Sequence, residues 1–89
     1  MSAAGIEFAE LKWRCRRGML ELDILLNTYL EKHRETMSQH QRAVFSEMLE
    51  YPDQVLLDLL LSNMRSSTAE INTLITEIQR AQVSTASET

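Results

Sequence analysis

The sequence predicts an all-α protein, a compact bundle of about five short helices. Apolar residues recur every three or four positions along most of the chain, the spacing that gathers side chains on one face of a helix. Only two Gly and one Pro interrupt 89 residues, too few for the turns of an all-β chain. Two stretches also open with Ser and carry Gln or Glu three positions later, a reciprocal cap that starts helices. A chain this short holds one core, so one domain is expected.

Phe8, Leu11 and Cys15 fall at i, i+3 and i+7, and define a first helix that Gly18 ends. A second helix runs from about Met19 to His33, with Leu22, Leu25, Leu26, Tyr29 and Leu30 on one stripe. Ser38 with Gln41 forms a capping box and opens a third helix whose apolar face is Val44, Phe45, Met48 and Leu49. Pro52 suits the first position of a fourth helix, where its missing N–H costs nothing, and that helix extends to about Met64. Its six aliphatic residues between Val55 and Leu61 surround a single charge, Asp58, which places it at the buried centre of the bundle. Ser67 with Glu70 is the second capping box, and Ile71, Leu74, Ile75 and Ile78 point inward from the fifth helix. Beyond Arg80 the residues turn small and polar, so residues 1–81 read as the domain and 82–89 as a flexible tail.

Composition removes several functions. Hydrophobic residues at 44% and charged residues at 25% match ordinary globular chains, which argues against global disorder. Two separated glycines cannot build a phosphate-cradling loop, so the chain is not expected to hold a nucleotide cofactor itself. A single cysteine excludes a disulfide framework and a multi-cysteine metal site, and suits a reducing compartment. The most apolar stretch, residues 55–61, is far shorter than the roughly twenty residues of a membrane span. A net charge of −4 disfavours nucleic acid and anionic membranes. A soluble protein of the bacterial cytoplasm is the expectation.

No catalytic set emerges. Cys15 has cationic neighbours but lies on an apolar stripe, the place of a buried small hydrophobe and not of a nucleophile. His33 and His40 straddle a loop without ligand-like spacing, and no serine has a triad partner set. What stands out is the basic run from Lys12 to Arg17 on an otherwise acidic chain. It reads as a solvated helix face with Arg17 pairing to Glu21, or as a docking patch in which Arg and Trp13 are anchors. As a nucleic-acid footprint it is too short. Next to it, Arg16, Arg17, Gly18, Glu21 and Asp23 concentrate guanidinium forks, a flexible residue and carboxylates, which suits recognition of another protein.

The string from Trp13 to Asp23 resembles the Arg-Gly-x-x-Glu signature of the succinate dehydrogenase assembly factor family. The match covers Arg17, Gly18 and Glu21, with Arg16, Met19, Leu22 and Asp23 also resembling the usual flanks. Phe45 to Glu50, followed by Pro52 and Asp53, is similar to a second family segment. Leu57 and Leu59 stand where many members carry aromatics.

The resemblance implies a small five-helix assembly chaperone that promotes covalent attachment of FAD to the flavoprotein subunit of succinate dehydrogenase and, in bacteria, of fumarate reductase. The bond joins a histidine of that subunit to the flavin methyl carbon, so the chemistry belongs to the partner and its flavin. The factor itself is then expected to be a monomer, to catalyse nothing and to bind no cofactor or metal. Arg16, Arg17, Gly18, Glu21 and Asp23 are the expected partner-binding residues. The alternative is a regulatory binding module, such as an antitoxin, acting on a target that is not a flavoprotein.

Overall fold

The computed structural model describes residues 7–62 and 64–87, with side chains described through residue 82. Its regular elements are α1 (Phe8–Arg14), α2 (Leu20–Lys32), α3 (Gln39–Met48), α4 (Asp53–Leu61) and α5 (Ala69–Ser87). Among the described residues all regular structure is helical, as the apolar spacing predicts. The radius of gyration is 12.7 Å, close to the roughly 12 Å expected for a folded chain of this length.

The predicted stripes are the core. Leu22, Leu26, Tyr29 and Leu30 of α2 are buried, as are Phe45, Met48 and Leu49 from α3 and all four predicted positions of α5. Leu11 and Cys15 close the core from the α1 side. Aromatic stacking runs through its middle: the Tyr29 ring lies 4.3 Å from His33 and 5.8 Å from Phe45. The Tyr29 hydroxyl donates to Glu77 on α5 at 3.2 Å, giving the polar end of the ring a partner at the core's edge. Leu56, Leu59 and Leu60 place α4 in the same core, while Val55 and Leu57 pack on its margin and Leu61 is half exposed. Leu59 is thus filling core volume.

Helix starts show which local signals hold. Ser38 caps α3 as expected: its hydroxyl accepts from the Gln41 N–H at 3.1 Å, and the Gln41 side chain accepts from the Ser38 N–H at 2.8 Å. Pro52 lies one position earlier than predicted, with extended backbone just ahead of α4, so Asp53 is the first helical residue. The helix ends at Leu61, three residues short of Met64. The second capping box is replaced by another device. α5 begins at Ala69, and Asn72 reaches back to bracket Ser66, accepting from its N–H at 2.8 Å and donating to its carbonyl at 2.9 Å. Asn can donate and accept at once, and so closes this turn where the Ser67–Glu70 pair is out of register. At the far end Ala81 is buried. The α5 backbone continues to Ser87, and no Gly or Pro follows Ala69 to stop it. Most of the tail's side chains, and residues 88 and 89 altogether, lie outside the described residues, as does the N-terminal segment before Glu7.

Candidate functional site

The basic run of α1 is built into the fold. Lys12 bonds to Glu31 and Asn27 of α2, and its ammonium holds the Glu31 carboxyl below the usual carboxylate range. Arg14 crosses to α3, donating to the Ser46 hydroxyl at 2.6 Å, the Ser46 carbonyl at 3.0 Å and the Glu50 carboxylate at 3.0 Å. Three cations of this run therefore stitch α1 to its neighbours once Arg17 is added. The run is therefore not a fully solvated basic face.

Arg17 does not pair with Glu21 as its spacing suggests. It turns instead toward the junction of α3 and α4. Its Nε donates to Asp53 Oδ1 at 2.8 Å, Nη1 to the Leu49 carbonyl at 2.9 Å and Nη2 to the Tyr51 carbonyl at 2.9 Å. Leu49 is the C-terminal cap of α3, so the guanidinium satisfies carbonyls that the helix end leaves without partners. Asp53 opens α4, where a carboxylate also meets the positive end of the helix dipole. The side chain of Arg17 is 15% exposed, which makes it a part-buried clamp and not a free fork. Asp23 is likewise turned inward, accepting from the Arg17 backbone N–H at 2.8 Å.

Between these two anchors the chain reverses at Gly18, whose φ is +86°, a conformation that L side chains rarely adopt. No atom lies within 4 Å of where a Cβ would sit, so the space above Gly18 is open. Gly18 lies in a cleft of about 560 Å³ walled by Trp13, Arg14, Arg16, Arg17, Asp23 and Asp53. The structure thus brings the five predicted site residues to one elbow between α1 and α2 and divides them. Arg17 and Asp23 face into the fold, while Arg16, Gly18 and Glu21 face out. Arg16 spreads over the Trp13 ring at 5.5 Å and makes no ion pair among the described residues.

Beyond Trp13, local reasoning does not single out the apolar part of this surface. Trp13 is 69% exposed, Leu20 77% and Ile24 53%, and all three belong to the α1–α2 region around Gly18. Leu20 and Ile24 are one turn apart on α2 and share a face. Sequence reasoning also misses Asp53 and the Leu49–Tyr51 carbonyls as members of the elbow. Their signal was the second family-like segment, Phe45 to Asp53, which the fold brings against the first.

Cys15 is fully buried, and burial pushes its thiol up to about 12 despite the cations of Arg17, Lys12 and Arg14. Desolvation outweighs their field, so the thiolate is not formed near neutrality. Thiol reagents at pH 8 are expected to leave the native protein unmodified and to label it fully in denaturant; rapid native labelling would contradict the burial. A raised thiol pKa adds stability that is intact below pH 9 and lost as pH climbs toward 12, at up to about 1.4 kcal/mol per pH unit. Thermal melts above pH 9 should fall more steeply for the native chain than for Cys15→Ala.

The fold is a small helical bundle with an outward-facing elbow, and its sequence relatives say to which family such a chain belongs. Residues 9–82 match the family described as flavinator of succinate dehydrogenase, and the chain belongs to that family. It is 37% identical over 71 residues to the FAD assembly factor SdhE of Coxiella burnetii, covering 80% of this chain and 87% of that one. The SdhE of Wigglesworthia glossinidia brevipalpis is 38% identical over 72 residues, 81% of this chain and 86% of its own. That of Haemophilus influenzae is 32% identical over 72 residues, 81% and 85% of the two chains. No solved structure matches the chain significantly. No helix among the described residues is long and apolar enough to cross a membrane.

Proposed function

We propose that this chain is an assembly chaperone that binds the flavoprotein subunit of succinate dehydrogenase, and that of fumarate reductase where present, and promotes covalent attachment of FAD to it. The observation that carries this reading is the outer face of the elbow. Arg16, Gly18 and Glu21 are offered to solvent there, beside three of the five large hydrophobic side chains exposed among the described residues. Such a surface costs a small domain solubility and marks a place where another protein sits.

The factor acts as a monomer in the bacterial cytoplasm, and it is not an enzyme. It holds no FAD of its own, since its sequence has no glycine-rich loop for a pyrophosphate. Its contribution is conformational: docking favours the arrangement of the flavoprotein in which the target histidine and the flavin methyl are aligned, and the partner then reacts with its own cofactor. Differential affinity for the two arrangements is all that this requires. Moving a population from 1:99 to 99:1 takes about 5.5 kcal/mol, within reach of a protein interface of ordinary size.

Covalent flavin on the flavoprotein subunit, read as fluorescence in a denaturing gel, tests the reading directly. Deletion of this protein should remove the signal. The native chain should restore it, and Glu21→Ala, which touches only the outer face, should restore much less at equal protein level. Undiminished covalent flavin in the deletion strain would overturn the assignment.

A further inference from the structure

Glycine populates positive and negative φ about equally, so Gly18 permits the elbow without enforcing it. Something else must hold the backbone at +86°. The residue before it is tied from two directions by side-chain chemistry. The Arg17 N–H is held by Asp23 at 2.8 Å, and its guanidinium by Asp53, Leu49 and Tyr51 at 2.8–2.9 Å. Of the guanidinium's acceptors only Asp53 is a charged side chain, and it receives the Nε. The carbonyls of Leu49, Tyr51 and, at 3.4 Å, Arg14 take the Nη groups, which leaves Nε to Asp53.

We propose that Asp53, which lies outside the Arg-Gly-x-x-Glu motif, is a positioning residue for the docking surface. Through Arg17 it fixes the left-handed turn at Gly18, and thereby the relative orientation of Arg16 and Glu21 on either side. The proposal rests on the docking role assigned to that face. It explains why a carboxylate at the head of α4 belongs to the same site as a motif that ends 32 residues earlier. Pre-organisation of this kind improves affinity by removing conformations the partner would otherwise have to select against.

The test uses the full chain and the purified flavoprotein subunit, with titration calorimetry for affinity and the backbone amide signal of Gly18, by NMR, for the turn. Asp53→Ala should weaken binding by about tenfold and move the Gly18 signal. Asp53→Asn keeps an oxygen that can accept from Nε, and should stay within about threefold of the native affinity with Gly18 near its native position. Glu50→Ala breaks the neighbouring Arg14 ion pair on the same turn and should change neither. If Asp53→Ala does not fold, Asp53→Ser, which the first turn of a helix accepts but which is too short to reach Nε, takes its place. Native affinity in a folded Asp53→Ala or Asp53→Ser would overturn the proposal. So would weakened binding with the Gly18 signal unmoved, since Asp53 would then touch the partner itself. Should the native chain fail to bind the flavoprotein, the functional reading falls, and an unmoved Gly18 signal would still refute the positioning role on its own.

Discussion

Phe45→Ala is expected to lower the unfolding free energy by about 3–5 kcal/mol, the cost of removing a fully buried aromatic ring from a core that relaxes only in part. The ring lies nearly parallel to Tyr29, 8° apart with centroids 5.8 Å distant, so its loss also takes the stacking partner of the largest buried side chain. Small domains carry about 5–15 kcal/mol in total, and the variant should sit near the edge of folding at 37 °C. Urea unfolding followed by far-ultraviolet circular dichroism gives the number. A loss under about 1 kcal/mol would mean that α2, α3 and α5 collapse freely into the space, against the close packing seen around Tyr29.

The second large effect is functional. Gly18→Arg should abolish docking and covalent flavin transfer to background while lowering stability by about 1–2 kcal/mol. The stability cost arises from a non-glycine residue at φ +86°, since the space around a Cβ is open. Gly18→Asn separates the two causes. Asparagine tolerates the left-handed region, so this variant should keep its melting temperature close to native, yet still place a side chain where a partner's backbone would approach. A folded Gly18→Asn protein that flavinylates normally would show that backbone shape alone is needed there. A folded but inactive one would show close approach by the partner.

The parts of this molecule that follow from local periodicity were legible in its sequence. The stripes of α2, α3 and α5 and the Ser38 cap depend on neighbours three or four positions away, and those neighbours are fixed by the helix itself. The failures share a physical cause. The i, i+4 spacing offers Glu21 to Arg17 as one possible partner, but such a pair needs one helix through both residues; the chain breaks at Gly18, and the strong acceptors come from residues 49–53. Likewise the α5 start is set by Asn72 folding back on Ser66 and not by the Ser67–Glu70 pair, a choice decided by the path of the incoming loop. The five candidate site residues were placed at one elbow by sequence reasoning. Which of them face outward and which hold the elbow was beyond it, because that division is made by α3 and α4.

Trp13 is the chain's single tryptophan, and it stands 69% exposed at the rim of the Gly18 cleft with Arg16 spread over its ring. Its indole is therefore already wet in the native fold, and its emission changes little when the core melts. The same fluorophore passes from water to a dry, crowded setting when a partner covers the elbow. Emission from Trp13 is therefore expected to report coverage of the elbow in preference to melting of the core.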